Sequence, residues 1–131
     1  MEVLALRLKP NADLRQSLKI FTLQKNIQAG FILSAIGSLK QATIRFANQD
    51  KSAVLDNKFE ILFLNGTLAT SGIHLHICIA DKHGKTIGGH LDNGCIIYTT
   101  AEIIIGTTTD FTFTRTPDPQ TGYNELEIIP H

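Results

Sequence analysis

The chain has 131 residues, 43% of them hydrophobic and 18% charged, with twelve basic residues balanced by twelve acidic ones. That length suits a single domain over residues 1–131 with one hydrophobic core, and the composition excludes a disordered chain. A net charge of zero, with lysines and arginines scattered, gives no basic footprint for the nucleic-acid backbone unless an oligomer assembles one.

The first stretch, EVLALRL at residues 2–8, alternates loosely and reads as a strand ended by Pro10 and Asn11. It lacks the basic and long apolar regions of a signal peptide, and no apolar run approaches the length that spans a membrane. Asp13 suits a helix N-cap, because its carboxylate can accept from free backbone N–H groups. Leu14, Leu18 and Phe21 then recur at helical spacing, with Ile20 and Ile27 widening the stripe. Gly30 suits the positive φ often needed after a helix, so one main helix is predicted over about residues 13–27.

Strand texture follows. FILSAIGSL reads as a strand ending in a Gly-Ser turn, QATIRFA as a second strand, and NQDKSAVLDNK as a polar loop. FEILFLNGTLA is a strand punctuated by Asn65-Gly66. Two strands come from the region of residues 73–91, and a long β-branched one from GCIIYTTAEIIIGTT. DFTFTR and YNELEII flank the turn-rich TPDPQTG. Many strands joined by short turns, with one helix, define an α+β class with a largely antiparallel sheet. Cys78 and Cys95 form no framework, so reduced thiols in a cytoplasmic protein are expected.

The chemistry concentrates at Ile73–Ala80, which alternates strictly. Successive strand side chains point to opposite faces, so Ile73, Leu75, Ile77 and Ile79 share the core face while His74, His76 and Cys78 share the other. Asp81–Lys85 reads as a hairpin turn with Gly84 in the left-handed position. A loop of odd length places His90 opposite His76, Ile87 opposite Ile79 and Leu91 opposite Leu75. A one-residue slip would expose Ile87 and Leu91, so burial selects the odd loop and brings His74, His76 and His90 together. Gly88 and Gly89 leave room beside them or carry a bulge. Three neutral imidazoles with an open fourth position suit zinc, with nickel, iron, cobalt and copper as alternatives. The competing reading is a polar sheet face without an ion, against which the third histidine in register counts. His83 is read as a solvated turn residue, His131 as a frayed terminus, and Cys95 as a small core residue.

The stretch HLHICIADKHGKTIGGHL resembles the plants-and-prokaryotes conserved (PPC) domain. GFILSAIGSL, FEILFLNGTLA, TTAEIIIG and DPQTGYNELEI support the resemblance in the right order along nearly the whole chain. It implies an α+β domain with a strongly bent antiparallel sheet, a homotrimer of the stand-alone prokaryotic type, and zinc held through His74, His76 and His90. In plants the domain follows an AT-hook that binds DNA and itself mediates association; no AT-hook occurs in these residues.

Three function classes follow. The first is a trimeric metal-binding module whose output is docking of a protein partner or small ligand at the metal. The second is a zinc-dependent hydrolase or lyase using the open metal position, with Glu102 as its candidate base and Arg45 as a candidate anion contact. Glu60 is read as an outward-facing carboxylate. The third is DNA binding through an oligomer surface.

Overall fold

The computed structural model describes residues 1–131. Strand β1 (Glu2–Leu8) is followed by helix α1 (Leu14–Gln24). The Asp13 carboxylate accepts from the backbone N–H of Gln16 at 2.9 Å and from that of Gly94 at 2.7 Å, so one residue caps the helix and pins it to the sheet. The helix stops earlier than its apolar spacing suggests. Asn26 takes the left-handed conformation (φ 50°) after the Lys25 C-cap, the role expected of Gly30, and Gly30 instead opens the next strand. Leu14 and Leu18 are fully buried, Phe21 partly so, and Ile20 lies on the exposed side.

Strand β2 runs unbroken from Gly30 to Arg45, where two strands and a Gly-Ser turn were predicted. Its register against its neighbour shifts at three places, one of them between Gly37 and Leu39. A Cβ at Gly37 would lie 2.2 Å from the Thr100 carbonyl oxygen, so this glycine admits a close backbone approach and a bend rather than a reversal. The polar loop contains a short strand, β3 (Ala53–Leu55), paired with Ala42–Ile44. Then come β4 (Phe59–Ala69), β5 (Gly72–Ala80), β6 (Thr86–Leu91) and β7 (Ile96–Thr107).

The sheet order is β1-β7-β2-β4-β5-β6, with every pairing antiparallel. Strand β6 also meets β2 again through Ile44–Leu91 and Arg45–His90, so the sheet bends until its last strand returns to its centre. A core of 21 buried residues, from α1, the inward positions of this sheet and the connecting residues Ile27 and Cys95, fills the fold. The α+β class and the bent antiparallel sheet match the expectation.

Strands β8 (Phe111–Pro117) and β9 (Asn124–Pro130) form a separate ribbon. It is tied down by the Phe113 N–H donating to the Gln28 carbonyl at 2.9 Å and the Ser71 hydroxyl donating to the Phe113 carbonyl at 2.8 Å. His131 is held rather than frayed: its backbone N–H donates to the Asp110 carbonyl at 2.9 Å, and its ring Nε2 lies 2.7 Å from the Thr112 hydroxyl.

Candidate metal centre

The site begins with a turn. Asp81 accepts from the backbone N–H groups of His83 (2.8 Å) and Lys85 (3.0 Å), and Gly84 takes φ 78°. The His83 N–H, followed by that of Lys85, draws the Asp81 carboxyl below its usual range, since both donors favour the ionised form. The loop is of odd length, and His76 stands opposite His90 with Ile79 opposite Ile87. His83 is exposed in the turn. Pairing with β5 ends at His90, so Leu91 faces Ile44 of β2 instead of the expected Leu75.

Gly88 and Gly89 carry no bulge. A Cβ at Gly88 would sit 2.5 Å from the Ile77 carbonyl oxygen, and one at Gly89 would sit 2.6 Å from the Arg45 carbonyl oxygen. The Gly-Gly pair lets β6 lie tightly between β5 and β2, which delivers His90 into the gap.

The ring centroids of His74, His76 and His90 are 5.3, 5.3 and 5.9 Å apart. One nitrogen from each ring can be chosen so that all three lie within 4.8 Å of one another. Nitrogens around a tetrahedral zinc stand about 3.4 Å apart, given bonds near 2.1 Å, so modest ring rotation would close the set on one ion. His74 and His76 are exposed and His90 is half-buried, which leaves the face open on the solvent side. Partial desolvation by the surrounding protein is the main reason that His74 and His90 fall below the ordinary histidine value. His76 and Arg115 add to the effect at His74, and Arg45 adds to it at His90. The neutral imidazole this favours is the form that binds a metal. Asp92 lies beside His90, its Oδ1 3.8 Å from the His90 Nε2, while its Oδ2 accepts a hydrogen bond from the Ser52 hydroxyl.

The remaining candidates fall in different places. Arg45 stands directly across from His90 on β2. Glu102 is exposed on β7, opposite Arg7 and Ile36, and lines neither hollow beside the histidines. Glu60 is exposed on β4. Cys78 shares the histidine strand but is no member of the ligand cluster, and both cysteines are free. Burial pushes the Cys95 thiol up to about 11. Arg115 was not anticipated. It lines two hollows next to His74, of about 270 and 470 Å³, and donates to the Thr67 hydroxyl at 3.2 Å. No local signal marks it, because the β8–β9 ribbon carries it to the site over a long sequence separation.

A bent antiparallel sheet with one packed helix, bearing three converging imidazoles on one hairpin face, defines a small α+β domain with a candidate metal centre. The chain belongs to the Plants and Prokaryotes Conserved (PCC) domain family, whose model matches residues 1–109. It is 52% identical over 128 residues to the bifunctional protein GlmU of Synechococcus sp. strain JA-3-3Ab, covering 98% of this chain and 21% of that one. The chain thus spans about a fifth of that relative's length. Among solved structures, a hypothetical protein from Salmonella enterica superposes with a TM-score of 0.96 at 38% identity, covering 99% of this chain and 94% of that chain. A metal-containing protein from Archaeoglobus fulgidus superposes with a TM-score of 0.80 at 27% identity, covering 97% of this chain and 94% of that chain.

Proposed function

We propose that this domain is a metal-dependent binding module in which His74, His76 and His90 hold a transition metal, zinc above all. The observation that carries the reading is the convergence of three imidazole nitrogens within 4.8 Å on an open face. The Archaeoglobus relative, described as metal-containing, supports it. So does the occurrence of a homologous stretch as a fifth of the longer Synechococcus protein, where the domain is one module among others.

A bound zinc would act as a Lewis acid toward an oxygen donor at its open position. The chain's own residues bring the three rings together, set Asp92 beside His90, and through partial burial favour the neutral forms of His74 and His90. A hydrolase or lyase reading uses the same open position. Of the acidic side chains, Glu125 rather than Glu102 lines the larger hollow and would serve it.

The module works as a homotrimer in this reading. Leu33, Ile36, Leu62, Phe63 and Tyr98 are exposed on the adjacent strands β2, β4 and β7, and an apolar surface of that kind calls for a partner. No helix is long and apolar enough to cross a membrane, and two free thiols suit a reducing compartment, so we place the protein in the cytoplasm. DNA is the weakest partner, since zero net charge supplies no phosphate-binding excess.

The test is metal content after purification without a metal-affinity tag, for the native chain and for His74→Ala with His90→Ala. About one equivalent of transition metal per native chain, lost in the variant, is expected. A native chain that holds none after zinc is supplied overturns the reading.

A further inference from the structure

Directly opposed residues in an antiparallel sheet share a face, and one such row runs across four strands here: Asn65, His76, His90 and Arg45. Thr67 opposes His74 in a second row, and Arg115 reaches it from the β8–β9 ribbon. The stem of Arg115 passes over Gly72, with its Cγ 3.6 Å from where a Cβ would stand. Two guanidinium-bearing side chains therefore flank the histidine cluster, one inside the sheet and one laid over it.

The larger hollow, about 470 Å³, is bordered by Arg15, Arg45, Arg115, His74 and His90, with Glu125 as its one carboxylate. The chain is neutral overall, so this local excess is one of placement. The only acid–base pair within 4.0 Å anywhere in the chain is His90–Asp92. The arginines' hydrogen bonds go to neutral groups: Arg115 to the Thr67 hydroxyl, Arg45 to the Gln49 carbonyl at 3.5 Å, and Arg15 to the Asn93 side chain at 3.1 Å. A guanidinium carries five N–H donors in a planar fork that matches an oxyanion, and here most of them are unused. Three neutral imidazoles would also leave the charge of a divalent ion uncompensated.

We propose that this hollow binds a small oxyanion, a carboxylate or phosphate, held by Arg45 and Arg115 with one oxygen directed at the histidine cluster. The volume suits a small molecule rather than a polymer. The contact of that oxygen with a metal rests on the metal reading above; the guanidinium clamp does not.

The experiment is calorimetric titration of the 131-residue chain, zinc-loaded and metal-free, with oxalate and with inorganic phosphate. The variants are Arg45→Gln, Arg115→Gln and Lys82→Gln, the last a turn lysine remote from the hollow. Saturable binding of at least one anion is expected, with oxalate against phosphate separating the two ligand classes. Arg45→Gln and Arg115→Gln should each weaken it about tenfold or more, with metal content unchanged. Lys82→Gln should leave it as in the native chain. Should Arg115→Gln loosen the ribbon, Arg45→Gln, whose one side-chain bond is the long one to Gln49, still decides. Neither anion binding at millimolar concentration, or equal weakening in Lys82→Gln, overturns the proposal. A chain that takes up no zinc refutes the metal reading alone; arginine-dependent binding by the metal-free chain then supports the clamp, and its absence overturns it.

Discussion

Gly66→Ala tests whether the site depends on how closely β4 and β5 approach. Gly66 adopts φ 142°, a conformation that side chains disfavour, and a Cβ there would lie 2.0 Å from the His74 carbonyl oxygen and 2.9 Å from the Leu75 Cα. Both neighbours are backbone, so no rotamer change relieves the clash, and β5 must move where His74 leaves it. Backbone strain of about 1–3 kcal/mol adds to an overpacking cost of about 1–3 kcal/mol. The sum, about 2–6 kcal/mol, is a large share of an ordinary domain's stability of about 5–15 kcal/mol. Gly84→Ala is the internal control: its φ is 78° but nothing lies within 4 Å, so only strain of about 1–2 kcal/mol remains. Urea denaturation of the metal-free proteins measures both, and zinc uptake by the folded fraction shows whether His74 has been displaced. A Gly66→Ala chain as stable as Gly84→Ala and still taking up zinc refutes the reasoning.

In the metal-free chain, His74 and His90 lie below their usual value of 6.5, so the folded state binds fewer protons than the unfolded state just beneath it. Stability should therefore fall as pH drops below about 6.5 and be level above it as far as these groups go, and His74→Asn with His90→Asn should flatten the slope between urea melts at pH 5.5 and 7.5. Phe63 is 59% exposed on the apolar outer face, so if the native chain runs as the trimer proposed above, Phe63→Glu should shift its mass to that of monomers in size-exclusion chromatography with light scattering, and an unchanged mass would count against that face as the interface. Cys95 is fully buried with its thiol at about 11, so iodoacetamide at pH 8 should leave it unmodified in the native chain while the half-buried Cys78 reacts, as peptide mapping would show.

The hairpin was legible because its signals are local and agree. Alternation fixes the faces of β5, the Asp81–Gly84 turn fixes the loop, and burial of Ile87 and Leu91 fixes the register. The breaks were harder to read. Gly37-Ser38 has the composition of a turn, yet the glycine serves close contact with Thr100, a partner more than sixty residues away in the chain. Strand β3 hides in a polar segment because it is an edge strand of three residues with Val54 pointing to solvent. The neighbourhood of Arg45 depends on β6 returning to β2, and that of Arg115 on where the ribbon docks. Neither contact leaves a pattern in the residues around it.

The family model matches residues 1–109, which contain the three histidines and Arg45. Arg115, Tyr123, Glu125 and Leu126 lie beyond it, on or beside the ribbon, and they line the outer walls of the two hollows. The ribbon pairs with no strand of the main sheet, being joined to it by hydrogen bonds such as those of Phe113, Ser71 and Arg115. Its residues can thus differ without disturbing the registers that converge the imidazoles. In the proposed reading, metal affinity belongs to the closely spaced strands β5 and β6, whereas the shape and charge of the proposed ligand belong jointly to Arg45 and to the ribbon. On this division, substitutions at Arg115 or Glu125 should change which anion is held and leave metal uptake as it is, whereas substitutions at Gly66 or Gly88, which crowd the backbone of β5, should cost metal uptake first.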